Sequence, residues 1–390
     1  MLPDYEYWKK PRLLGNIVFH EKSKLWMPIL AAAFFYWIFP FFLAICNKTL
    51  TSRKLGELLI DNSIFLFNDK LTYTKFVESQ KIFDGIAYLN DISHHLFTLC
   101  LMVGLLFCVL AIKKVNYVIS TLIKNKIFAG NEVSFYKKTN ELNSLQQRLY
   151  LLLPSVLFTT PTLYFFLHIT FLDGNNIWWG NIEYGYSGIY FSIIVSLMVF
   201  FGVYYTLHLL IVSFLCGKIM ETEVSLRPFH EDGCNGLESL GLFILYLWGF
   251  AISLAAAIFV TLKFGYMGVE KQMYIWILSL MAVFCIPIIA IYPLYKSIVS
   301  AYTYRRNRLA KLEKRISTSI EKLDNNINKM TNKEFIEESD IYEKLMVLHK
   351  SIHEMNLWPF DVKVLISAIF VYILQALLIA KEVVSNINQL

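Results

Sequence analysis

Residues 227 to 241 read RPFHEDGCNGLESLG, and His230, Asp232 and Cys234 alternate within that stretch, with Arg227 just upstream. A thiolate beside a histidine base can attack an electrophilic centre, and imidazole, carboxylate and thiolate are all zinc ligands. Arg227 and the two glycines, Gly233 and Gly236, offer a third chemistry, because a guanidinium and exposed main-chain amides both favour an anion. A metal would need at least one more ligand, however, and a nucleophilic Cys234 would need a base held within hydrogen-bond reach. A plain polar turn explains the same composition more simply: glycine supplies permissive backbone, and Asp232 and Asn235 suit turns or caps. Arg227, His230, Asp232, Cys234, Asn235 and Gly236 therefore stand as a candidate ligand or partner loop. No catalytic residue, metal set or cofactor is expected.

The chain that positions this loop is 56% apolar and 17% charged, with a mean hydropathy of +0.49, too apolar for an ordinary soluble domain. A spanning helix needs about 20 mainly apolar residues, since its backbone polar groups must be satisfied within the segment. Six runs meet that requirement: 25–46, 93–112, 149–172, 188–216, 242–262 and 273–295. A seventh, 364–380, lies at the lower limit, and can span or rest in the interface. The six cysteines show no paired loop spacing, so neither a disulfide framework nor a zinc ribbon is expected.

Charge sets the orientation. Lys9, Lys10, Arg12, Lys22 and Lys24 precede the first run, in a segment too long and polar for a signal-peptide start. Segment 47–92 balances six basic with six acidic residues, whereas 113–148 has Lys113, Lys114, Lys124, Lys126, Lys137, Lys138 and Arg148 against Glu132 and Glu141. The positive-inside rule then predicts a cytoplasmic N-terminus, with 217–241 and everything after Lys296 also inside. WWGNIEYGY, in 173–187, reads as an aromatic belt on the outer face. The basic run Arg305, Arg306, Arg308, Lys311, Lys314 and Arg315 fits inner topology and anionic lipid better than nucleic acid.

The six runs hold no Asp, Glu, Lys or Arg, which weakens a proton-coupled transporter. His208 and His168 read first as histidines bonded to neighbouring helices or lying near an interface, with gating as the alternative. Pro28 and Pro40, Pro154 and Pro161, and Pro287 and Pro293 are expected to kink the first, third and sixth spans. His208, Pro287 and Pro293 are the candidate pore or gating residues. In the fifth span, Gly249, Ser253 and Ala257 are four apart, so that face predicts close backbone approach inside the bundle or at a subunit seam.

Beyond the sixth run, Leu309, Ile316, Leu323 and Met330 repeat every seven residues, with Leu312, Ile320 and Ile327 alongside. Thr331 and Glu334 have capping-box spacing, and Ser339 or Asp340 is placed to cap a helix with the seam Ile341, Leu345, Leu348, Ile352 and Met355. The two seams can pair as a helical hairpin or join those of other subunits. His349 and His353 have the spacing of two metal ligands but lack a third. Pro359 is expected to end the helix, and Trp358 to serve as an interfacial anchor.

Residues 230 to 237, HEDGCNGL, resemble the H-P-D-G-x-G-G-L loop of poorly characterised bacterial polytopic membrane proteins, and WPFD at 358–361 is similar to a segment of the same proteins. Glu231 replaces a proline of that pattern and Asn235 a glycine. The resemblance implies a bacterial inner (cytoplasmic) membrane and no particular activity.

The expected fold is all-α: a bundle of six, or seven, transmembrane helices over 1–295, a cytoplasmic coiled-coil-like hairpin over 296–356, and a C-terminal interfacial or membrane segment over 357–390. The first functional reading is a channel or pore-type effector gated through the hairpin and the 227–241 loop. The alternatives are a non-conducting scaffold or sensor that recruits a cytosolic partner, and an enzyme acting at the cytoplasmic face through His230, Asp232 and Cys234. Expected partners are the lipid bilayer, further copies of the chain as a homo-oligomer, and a cytosolic protein or small ligand; nucleic acid is disfavoured. Convergence of Thr159, Thr160, Ser192, Ser196, Thr206 and His208 on one lumen would favour conduction, and their dispersal the scaffold.

Overall fold

The computed structural model describes residues 26–47, 50, 88–125, 127, 152–171, 187–221, 226, 231–232, 234–263, 283–284, 287–326, 331–359 and 362–387. Every regular element among them is helical. In chain order these are α1 (Trp26–Ala33), α2 (Phe39–Cys46), α3 (Ile92–Lys124), α4 (Leu152–Phe171), α5 (Ser187–Met220), α6 (Glu238–Lys263), α7 (Ile288–Asn326), α8 (Asn332–His353) and α9 (Val362–Ile387). Five helices among the described residues are long and apolar enough to cross a membrane: Met27–Cys46, Ile92–Lys124, Gly188–Met220, Glu238–Lys263 and Ile366–Ser385. The protein is therefore an all-helical membrane protein, with five such helices among the described residues; the sequence led to six or seven over the whole chain.

The differences have local reasons. The 149–172 run forms α4, a helix of 20 residues that is not among those five. Most of the 273–295 run lies outside the described residues. The marginal run 364–380 lies within a longer helix, because Val362, Lys363 and the residues up to Ile387 also adopt helical backbone. Lys113 and Lys114 do not end their helix either; α3 continues to Lys124.

Gly249 and Ser253 lie in the α3–α6 contact, inside the chain, and Ala257 is buried one turn further along α6. A Cβ on Gly249 would come within 2.6 Å of the Phe107 ring, and one on Gly104 would meet Ser253 Cβ at 3.4 Å. Small residues thus admit a neighbouring helix where a larger side chain would hold it off. On the other side of α6, Trp248 meets Tyr372 of α9 edge to face at 5.8 Å, and Lys263 pairs with Glu382 at 2.8 Å. The outward faces of α4 and α9 leave Leu153, Leu157, Ile366, Phe370 and Leu377 exposed. Such rows are what lipid covers.

The first span changes helix type midway. A π-helical stretch, Phe34–Ile38, joins α1 to α2 one turn before Pro40. Proline has no N–H for the carbonyl four residues back and its ring crowds that carbonyl, so the turn widens there. Pro287 occupies a turn at the entrance to α7, where its carbonyl accepts from Ala290 and Ile291 N–H at 2.9 Å each, and Pro293 lies inside the helix. Pro287 thus opens a helix where an internal kink was expected.

From the bundle, α7 runs 39 residues without a break, and α8 packs back along its distal part to make a two-helix arm. Ser319 donates to Glu338 at 2.6 Å, Lys322 lies 3.8 Å from the same carboxylate, and His349 lies 3.7 Å from Glu313. Thr331 and Glu334 form the reciprocal capping box at the start of α8. Ser339 and Asp340 lie inside α8 and cap nothing, and the helix ends at His353, ahead of Pro359. Two helices bury only one stripe each: Leu312 and Ile352 are covered, whereas Ile320 and Ile341 of the expected seams stay 40% and 47% exposed.

Candidate functional site

The 227–241 loop is a turn with an internal organiser. Oδ1 of Asp232 accepts the main-chain N–H groups of Cys234 at 2.9 Å and Gly236 at 3.0 Å, and Oδ2 accepts that of Glu238 at 3.3 Å. One carboxylate thereby satisfies donors of the turn and of the first residue of α6, which the helix itself cannot satisfy. Asn235 has φ 59° and Gly236 has φ 89°, both left-handed. Gly236 is required twice over: its backbone suits glycine, and a Cβ would come within 2.8 Å of Ile127 Cδ1. Asn235 stands where the resembling pattern has glycine, and asparagine is among the few side chains that visit this backbone region readily.

This turn is fastened to two distant segments. Asn125, at the end of α3, donates through Nδ2 to the Gly236 carbonyl at 3.4 Å. The Asn235 carboxamide donates to the main-chain carbonyl of Asn356, between α8 and α9. Asn356 in turn accepts the Trp358 N–H on its own side chain at 3.0 Å. Met355 is buried in the main core, and Leu357 and Trp358 pack against it half-buried, so Trp358 contributes to packing as well as to any interface. The turn, the end of α3 and the foot of the arm form one junction. Trp358 and Pro359, and the Asp232 turn, which belong to the two stretches that carried the resemblance, lie at this junction.

Of the alternating His230, Asp232 and Cys234, the structure describes the surroundings of the last two. Asp232 already has both oxygens on main-chain donors. Burial, followed by the charges of Asp232 and Glu238, pushes the Cys234 thiol pKa up, which disfavours the thiolate a nucleophile or metal ligand needs. Arg227, His230 and Gly233 lie outside the described residues. No group of three or more His, Cys, Asp or Glu suited to a metal occurs among the described residues. His349 and His353 stack with ring centroids 6.4 Å apart on α8.

His208 is fully buried on α5 beside the core residues Leu209 and Val212, and Pro293 lies one turn from Ile289, whose carbonyl accepts the Ser213 hydroxyl. Four of the candidate lumen hydroxyls bond carbonyls of their own helices. Thr159 bonds the Ser155 carbonyl at 2.6 Å, Thr160 that of Val156 at 2.9 Å, Ser192 that of Gly188 at 2.9 Å and Ser196 that of Ser192 at 2.6 Å. Thr160 is exposed on the outside of α4, while Ser192 and Ser196 are buried.

A second polar cluster, at the start of α3, escaped the sequence reading. Three consecutive carbonyls of the first span each receive a distant side chain: Phe35 from Tyr190 at 2.9 Å, Tyr36 from the His94 ring N–H at 2.9 Å, and Trp37 from Tyr88 at 2.8 Å. Tyr36 also donates to Ile194 of α5 at 3.1 Å. The Tyr36 carbonyl is the one that Pro40 cannot bond, so His94 supplies a donor where proline removes one. Asp91 caps α3 by accepting the His94 main-chain N–H at 2.9 Å. The available signal was a proline in one run and a histidine pair at the entrance of the next.

Compared with family models, curated proteins and solved structures, the chain matches none.

Proposed function

We propose that this protein is a non-conducting membrane scaffold or sensor that holds out the α7–α8 arm to recruit a cytosolic protein. The carrying observation is the Asn235–Asn356 contact: the arm is continuous with a bundle helix at one end and tied to the Asp232 loop at the other. A helix pair held at both of its roots is a rigid display element. The hydroxyls that would wet a conduction path bond their own helices, which favours the scaffold over a pore. The cytoplasmic side for the arm follows from the basic residues after Lys296 and before the first span.

A gated pore is the second reading, favoured by the unbroken course of α7 from Pro287 into the arm, which gives a lever for gating. Recording single-channel current from the purified protein in planar bilayers separates the two. The scaffold predicts silence from folded protein, with and without residues 303–356. Discrete currents that disappear when the arm is deleted would establish the pore instead.

A further inference from the structure

α6 and α9 run the same way through the bundle. Trp248 meets Tyr372 at one level and Lys263 pairs with Glu382 further along both helices, so each starts at the end where Asn235 and Asn356 meet. At 1.5 Å per residue, Trp248 lies about 15 Å from the start of α6 and Gln375 about 20 Å from the start of α9, which places both near the middle of their spans. Tyr372, Ile379 and Val383 form the buried stripe of α9, with Ala376 packed against the core, and Gln375 stands beside that stripe, three residues after Tyr372 and only partly exposed.

Two buried polar atoms of this seam have no hydrogen-bond partner among the described residues: Nε1 of Trp248, a side chain only 3% exposed, and Oε1 of Gln375. At this depth the bilayer supplies no water to either, and a polar atom buried without a bond is costly. Their chemistry restricts what can answer them. An indole N–H only donates and a carboxamide oxygen only accepts, so one group serving both must accept one hydrogen bond and donate another. It must also be neutral, because charge in mid-bilayer is expensive and neither 242–262 nor 364–380 holds an Asp, Glu, Lys or Arg to balance it. A hydroxyl meets all three demands with a single oxygen. Val371 and Leu378, four residues before and three after Gln375 and therefore its neighbours on the helix surface, are exposed, so the approach to Gln375 is apolar.

We infer that the α6–α9 seam binds a membrane-soluble alcohol, a neutral lipid whose hydroxyl accepts from Trp248 Nε1 and donates to Gln375 Oε1. Its hydrocarbon chain leaves past Val371 and Leu378 into the bilayer. α9 begins beside the arm's foot, so the ligand touches the helix that anchors the arm. The site stands whether the arm recruits a partner or gates a pore.

The test uses full-length protein in phosphatidylcholine nanodiscs, whose lipid carries no hydroxyl, and a long-chain primary alcohol with a diazirine in its chain. After illumination, mass spectrometry of peptides should find the probe on α6 and α9 near Trp248 and Gln375. The unlabelled alcohol should compete, and its methyl ether, which keeps the acceptor and loses the donor, should compete about tenfold less well. That comparison is made on the parent chain and stands whatever a substitution does to folding. Trp248→Phe and Gln375→Leu should each weaken labelling by a similar factor. Gln375→Leu removes an unbonded buried oxygen at nearly constant volume, so it should melt no lower than the parent. Equal competition by alcohol and ether, or labelling that neither substitution changes, would reduce the contact to ordinary lipid and overturn the inference. Absence of the probe from both helices would overturn it too, leaving ordered water to bridge the pair.

Discussion

The Asn235 side chain donates to the main-chain carbonyl of Asn356, 121 positions further along the chain, and so joins the turn before α6 to the foot of the arm. Asn235 meets two requirements there, the bond and the left-handed backbone at φ 59°. Substitutions separate them. Asn235→Gly keeps the backbone and loses the bond, at a cost of about 1 kcal/mol; Asn235→Ala also forces a Cβ into the left-handed region, adding about another 1 kcal/mol. Thermal melts in detergent should rank wild type above Asn235→Gly and Asn235→Gly above Asn235→Ala. An alanine variant as stable as wild type would show that the contact holds nothing.

His94 and Pro40 should be energetically coupled. His94→Phe leaves the Tyr36 carbonyl without its ring donor in a span where no water replaces it, with an expected loss of about 1–3 kcal/mol. Pro40→Ala restores an N–H four residues after Tyr36. In the Pro40→Ala background, His94→Phe should therefore cost less, and a double-mutant cycle on melting measures the difference. Strict additivity would contradict the compensation.

Cys234 should react slowly as a thiol. Its pKa is raised, chiefly by burial and then by Asp232 and Glu238, so at any pH below that pKa less thiolate is present than on a free cysteine. In a variant keeping Cys234 alone, maleimide labelling should lag a model thiol at neutral pH and gain as pH rises past the ordinary thiol range. Asp232→Asn removes one of the raising charges and should speed it. Faster labelling than the model thiol would revive a nucleophilic role.

Patterns confined to a single helix were legible in the sequence: the apolar runs, the small-residue face of α6 and the Thr331–Glu334 capping box all follow from spacing within one element. The partners were not. Nothing periodic links Asn235 to Asn356, and a proline in one span gives no sign that a histidine from another will serve its orphaned carbonyl. Ile320 and Ile341 were assigned to the arm's seams because heptad spacing includes flanking positions; a two-helix pair is too narrow to cover them. Asp232 was legible as a turn or cap residue from its type alone, but which main-chain groups its carboxylate would bond was not.

Rigid attachment of the arm is the central claim, and double electron–electron resonance tests it directly. Nitroxides would replace Lys124, at the end of α3, and Ser339, on the exposed part of α8, in a chain whose six native cysteines are substituted. The account predicts one narrow distance distribution that broadens when Asn235 becomes alanine. A broad distribution in the parent chain, or one that Asn235→Ala leaves unchanged, would contradict it.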